Sequence, residues 1–157
     1  MKVIFLDIDG VLNTVYSSSR ALSCVIGVDN DKVKRLKKIV DKTGAKIVLC
    51  SSWKGAWSRY YKSEQRVLGN YLDKELGKEN LIIFDKTTDC GFNRGEGIVN
   101  YVKEYNVENW IVIDDEIFCD YEKLGIFSHL IKTDLESENG GLQDNHIEDA
   151  IRLLNNW

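Results

Sequence analysis

The chain has 157 residues and a mass of 18.0 kDa, with 21 Lys and Arg against 25 Asp and Glu, for a net charge of -4. A chain of this length fits one domain and buries roughly 68–70% of its unfolded surface, enough for a core without metal or disulfide staples. At 43% hydrophobic and 29% charged residues the composition excludes disorder, and the acidic balance speaks against a broadly basic nucleic-acid coat while leaving room for a local basic groove.

Short apolar runs alternate with helical stripes along the chain. Val3–Leu6 has no polar alternation, the pattern of a strand buried on both faces. Val33, Leu36, Ile39 and Val40 share a helix face, with Asp29, Asn30 or Asp31 as the cap and Gly44 as the stop. Ile47–Cys50 reads as a second strand. Val67, Leu68, Tyr71, Leu72 and Leu76 form a helical stripe closed by Gly77, and Leu81–Phe84 is a third strand. A helix through Ile98, Val99 and Val102 leads to a fourth strand at Trp110–Ile113 and a short fifth at Ser128–Ile131. Ile147, Ala150, Ile151 and Leu154 place a final helix. The order predicts one α/β domain over 1–157, a Rossmann-like open parallel sheet of about five strands with helices on both faces. The least regular segments, 13–28, 51–63 and 85–94, all follow strand C-terminal ends, where such sheets bind ligands.

Cys24, Cys50, Cys90 and Cys119 form no CxxC pair and lie apart from His129 and His146, so the spacing argues against zinc. The N-terminal apolar run meets Asp7 after four residues, too soon for a signal peptide, and no run approaches the roughly 18 residues of a membrane span. The expectation is a cytoplasmic protein with free thiols and no membrane partner. Cys50 and Cys119 are expected to be buried fillers, and both histidines to be structural.

The chemistry-bearing residues gather at strand ends. Asp7 and Asp9 follow the first strand, and i and i+2 of an extended chain point the same way. Asp114 and Asp115 follow the fourth strand. In a parallel sheet these ends lie along one edge, so four carboxylates are expected to converge there. Ser51 and Ser52 bring hydroxyl donors from the second strand. Crowded carboxylates repel unless a cation lies between them, and an all-oxygen set suits Mg²⁺, which also binds substrate phosphate.

Phe5-Leu6-Asp7-Ile8-Asp9-Gly10-Val11-Leu12-Asn13, Ile47-Val48-Leu49-Cys50-Ser51-Ser52-Trp53 and Ile111-Val112-Ile113-Asp114-Asp115 resemble the first, second and fourth motifs of haloacid dehalogenase (HAD) superfamily phosphohydrolases. The pattern is most similar to the small HAD domains associated with RNA repair proteins and, more distantly, to the phosphatase domain of phage polynucleotide kinase. The third motif needs a basic residue; Arg94 matches best and Lys86 competes. The resemblance implies Asp7 as nucleophile through an aspartyl-phosphate and Asp9 as general acid and base. It implies Ser51, or Ser52 in its place, and Arg94 as phosphate contacts. Asp7, the backbone carbonyl of Asp9, and Asp114 and Asp115 would hold Mg²⁺, with the direct ligand of the last two left open.

No interval is long enough for a folded cap: only about 16 residues, 13–28, follow the first motif. An open site suits a phosphate on a nucleic-acid end or nucleotide; a small-metabolite phosphatase and a non-catalytic phosphate-binding module are the alternatives. The segment from Trp53 to Lys62 interleaves Trp53, Trp57, Tyr60 and Tyr61 with Lys54, Arg59 and Lys62. Its aromatics either stack unpaired bases or pack on the sheet, and aromatics more often fill cores. An exposed Trp57 or terminal Trp157 would support self-association. Gly140-Gly141-Leu142 reads as a turn on the site rim.

Overall fold

The computed structural model describes residues 1–61, 63–89 and 92–156; Lys62, Cys90 and Trp157 lie outside the described residues. The chain runs β1 (Lys2–Leu6), a small hairpin of β2 (Arg20–Leu22) and β3 (Val25–Ile26), α1 (Asn30–Thr43), β4 (Lys46–Leu49), a 3-10 turn (Ser52–Gly55), α2 (Val67–Gly77), β5 (Ile83–Lys86), α3 (Arg94–Glu104) and β6 (Asn109–Asp114). A second 3-10 turn (Ile126–His129), β7 (Leu130–Lys132) and α4 (Asp144–Asn156) complete it. Five strands make one sheet in the order β5-β4-β1-β6-β7, every neighbouring pair parallel. The expected α/β architecture is therefore present, with β1 at its centre.

The sheet is buried on both sides, which explains the unbroken apolar runs. Ile4, Leu6, Ile47, Leu49, Ile111 and Ile113 face α1, α2 and α4, meeting Leu36, Leu72 and Leu154 among others. The alternate residues Val3, Phe5, Val48 and Val112 face α3 and the segment carrying Tyr121 and Ile126. Phe5 is fully buried, with edge-on rings of Tyr101 at 5.6 Å and Trp110 at 5.9 Å. Truncating it to Ala would cost about 3–5 kcal/mol.

Helix ends follow the sequence in part. Gly44 stops α1 in the left-handed conformation (φ 67°), its N–H bonding Val40 O. Asp29 takes the cap position of α1, but its carboxylate makes no cap bond. It accepts instead from Ser17 Oγ (2.6 Å), Ser19 Oγ (3.2 Å) and Lys32 Nζ (2.9 Å), pinning the 13–28 segment to the helix. That segment is more ordered than expected, because the β2–β3 hairpin occupies residues 20–26 of it and Tyr71 Oη accepts from Val28 N at 3.1 Å.

Two strands begin two residues later than expected, while the other three begin one residue earlier and β4 stops at Leu49, before Cys50. The third strand begins at Ile83, not Leu81, since Leu81 N–H turns back onto Leu76 O and closes the end of α2. Ile82 is left 80% exposed, and Asp85 and Lys86 extend the strand instead. The last strand begins at Leu130, because Ile126–His129 winds into the 3-10 turn before it. No described helix is long and apolar enough to cross a membrane.

Candidate active site

At the C-terminal edge of the sheet, Asp7 continues the ladder with its N–H on Ile113 O (3.0 Å), and the chain then turns tightly, Val11 and Leu12 N–H both reaching Ile8 O. Gly10 makes the turn at φ 72°, and a Cβ there would lie 2.3 Å from Asp115 Cγ. Only glycine meets both demands. Thr133 secures the same turn, donating its hydroxyl to Gly10 O at 2.6 Å while its N–H bonds Asp114 O at 3.0 Å.

Asp7, Asp114 and Asp115 each place a carboxylate oxygen within 4.8 Å of the other two. Asp9 does not join them, contrary to the expected convergence of four carboxylates. β1 ends at Leu6, so Asp7 and Asp9 are not in extended register and their side chains part. Asp9 Oδ1 accepts Asn13 Nδ2 and Oδ2 accepts Trp53 Nε1, both at 2.9 Å.

The acids are met by a cation, Arg94. Arg94, the first residue of α3, reaches Asp114 Oδ2 at 2.7 Å and Asp7 Oδ2 at 3.2 Å, with its guanidinium 4.2 Å from the centre of the Phe118 ring. Burial disfavours the Arg94 charge, but Asp7 and Asp114 outweigh it and hold the guanidinium protonated. Asp114 is fully buried and further satisfied by Tyr121 Oη and Glu116 N, each at 3.0 Å. Lys86 lies elsewhere: its ammonium is spent at 2.8 Å on the carbonyls of Lys54 and Trp57.

Three carboxylates against one guanidinium leave an excess of negative charge, and it shows in the titration. Burial, with Asp114 adding repulsion, pushes Asp7 from 3.8 up to about 6 against the pull of Arg94 and a Ser51 hydrogen bond. Burial, then Asp7 and Asp114, pushes Asp115 up to about 7. An oxygen-only set with unneutralised charge fits a hard divalent cation such as Mg²⁺.

Ser51 and Ser52 separate at the end of β4. Ser51 is fully buried; it hydrogen-bonds Asp7, and its Oγ accepts Trp53 N at 3.3 Å. Ser52 is exposed on the 3-10 turn. The aromatic-rich segment divides as well. Trp53 and Trp57 are buried, Trp57 being only 2% exposed with its Nε1 on Asp73 Oδ1 at 2.8 Å. Trp57 therefore offers no self-association surface. Tyr60 and Tyr61 are 88% and 66% exposed. Arg59 lies 5.5 Å from the Tyr60 ring, and Arg66 lies 5.9 Å from that of Tyr61. Lys54 is paired with Asp89 at 2.6 Å.

Several contributors carry a weaker sequence signal. Asn13 and Trp53 close the first and second motifs with no role attached, and Tyr121 lies in no motif. Cys50 is buried as expected, but Cys119 is exposed, since its segment turns outward after β6. His129 stacks on Trp110 (3.7 Å) and His146 Nδ1 accepts Gln143 N (3.0 Å), both structural contacts.

Among curated proteins none matches this chain. Residues 3–147 match a family described as the HAD domain in Swiss Army Knife RNA repair proteins, a span that takes in every residue placed above around Asp7. With its parallel five-stranded sheet and the aspartates at its edge, the chain belongs to that HAD domain family, whose membership implies phosphohydrolase-type chemistry.

Proposed function

We propose that this single-domain chain is a cytoplasmic Mg²⁺-dependent phosphomonoester hydrolase that works through an aspartyl-phosphate and acts on a nucleic-acid end or nucleotide phosphate. The observation that carries this reading is the buried Asp7, flanked by Asp114, Asp115, Arg94 and Ser51. An Asp7 oxygen attacks phosphorus, and the bond to the leaving oxygen breaks. Protonated Asp9 gives its proton to that oxygen. Asp9, now a carboxylate, takes a proton from water as the water oxygen attacks phosphorus, releasing phosphate and restoring Asp7. Arg94 and Ser51 stabilise the non-bridging oxygens, where charge lies in the transition state. Asp7, Asp114, Asp115 and the Asp9 carbonyl would hold Mg²⁺, which supplies screening of the repulsion between Asp7 and a phosphate dianion.

The substrate class rests on access and on surface chemistry. The 13–28 segment forms a two-stranded hairpin and no folded cap, so a large substrate can approach. Tyr60 and Tyr61 lie exposed beside Arg59 and Arg66, a combination suited to unpaired bases and their phosphates. The test is phosphate release from 3′- and 5′-phosphorylated oligonucleotides, mononucleotides and an aryl phosphate, with Mg²⁺ or with chelator. Chelator-sensitive release that Asp7→Asn abolishes is expected, with an oligonucleotide preferred. Preference for the aryl phosphate over every oligonucleotide and mononucleotide would overturn the substrate class. No release by a folded protein that binds Mg²⁺ would leave the binding-module reading.

A further inference from the structure

The clamp on Asp9 has a chemical consequence. Both Asp9 oxygens accept a hydrogen bond, Oδ1 from Asn13 and Oδ2 from Trp53, each at 2.9 Å. An indole N–H and a carboxamide N–H are donors only, with no lone pair to take a proton at that atom. They fix the carboxylate's direction without competing for the proton it must carry. Each oxygen keeps a second lone pair for that proton.

Both donors are themselves held. Asn13 is fully buried, and its Oδ1 accepts Gly10 N at 3.0 Å, which ties the side chain to the turn following Asp7. Trp53 is buried, and its own backbone N–H reaches Ser51 Oγ at 3.3 Å. Since Ser51 also bonds Asp7, Trp53 links the hydroxyl beside the nucleophile to Asp9 through a single residue. The link is short, and Trp53 and Ser51 are buried, so the indole N–H holds the half-buried Asp9 carboxylate in one direction.

We infer that Trp53 and Asn13 are positioning residues for Asp9, aiming it at the leaving oxygen and so setting how poor a leaving group the enzyme can expel. The inference rests on the phosphatase reading. In the first half-reaction the Asp7 oxygen–phosphorus bond forms, the ester bond breaks, and the Asp9 proton goes to the departing oxygen. A nitrophenolate leaves without that proton, whereas an unsubstituted phenolate needs it more.

The test is kcat/KM for p-nitrophenyl phosphate and phenyl phosphate with Mg²⁺, since kcat/KM reports the steps through departure of the alcohol. Trp53→Phe keeps the ring and removes the donor. Asn13→Asp keeps the acceptor for Gly10 N and replaces the donor with an oxygen. Each variant should lose about ten-fold or more on phenyl phosphate and less than about three-fold on p-nitrophenyl phosphate, a fraction of the effect of losing the acid itself. Asp9→Asn should show the same asymmetry at larger scale. Equal losses on both esters, or none, in whichever variant folds would overturn the inference while leaving the phosphatase reading intact. A wild-type protein that releases phosphate from neither ester, nor from the oligonucleotides and mononucleotides, would overturn that reading and this inference together.

Discussion

The end of β1 and the segment leaving β4 bring polar groups to the same sheet edge by different means. Asp7 and Asp114 are placed by the parallel ladder, whose register matches Leu6 with Ile113, and both side chains are buried. The 53–66 segment leaves the ladder at once, and its four aromatics divide into two buried tryptophans and two exposed tyrosines. The ladder fixes charges where water is scarce, so few groups have large effects there. The loop sorts its side chains by what each can bury, so its exposed members act on what arrives from solvent.

The largest break in this contrast is Asp7→Asn. It should lower phosphate release more than about a thousand-fold, as loss of a nucleophile does, with the folded far-ultraviolet spectrum retained. Arg94→Met comes next. It strips Asp7 and Asp114 of their cation and should cost about 3–5 kcal/mol in denaturant unfolding of the metal-free protein. Metal removal sharpens the electrostatic side. Asp7 and Asp115 have folded pKa values of about 6 and about 7, above the ordinary 3.8. Protonation therefore favours the folded state, and stability is lost as pH rises from about 4 through 6 and 7. In chelator, Tm should rise as pH falls from about 8 to about 5.5, and Mg²⁺ should raise Tm most at the upper end and flatten that slope. The smallest effect belongs to the loop. Tyr60→Ala or Tyr61→Ala should weaken oligonucleotide KM by about ten-fold, leave aryl phosphate hydrolysis unchanged, and alter stability by no more than about 0.5 kcal/mol.

The same contrast explains what was legible in the sequence. Val3–Leu6 and Trp110–Ile113 are apolar throughout because both faces of the sheet are covered, so their strands and the acids beyond them could be read from composition alone. Arg94 stood out because it opens a helix after the third strand. Asp9 could not be read from its i+2 spacing from Asp7. That spacing aligns side chains only while the strand continues, and β1 has already ended. Leu81–Phe84 looked like a strand because sequence does not reveal that the Leu81 N–H is taken by the end of α2. Trp57 and Tyr60 carry similar aromatic signals, yet one finds Asp73 for its N–H inside the core and the other stays outside. Hydrophobicity alone does not separate them; the partner does.

The central place of β1 has a consequence for how the molecule is assembled. β1 is flanked by β4 and β6, both of which follow it in the chain, so one of its edges stays open until residues 109–114 have been synthesised. Asp7 meets Asp114 only across most of the chain, and Gly10 meets Asp115 across a similar separation. Contacts so distant in sequence form late and slow the search for the native state. A nascent chain ending before β6 would carry the intact first motif beside an unpaired apolar edge, prone to adding a strand from another chain. The reactive centre and the closure of the sheet are thus one event: the chain cannot present its acids together before it has hidden that edge.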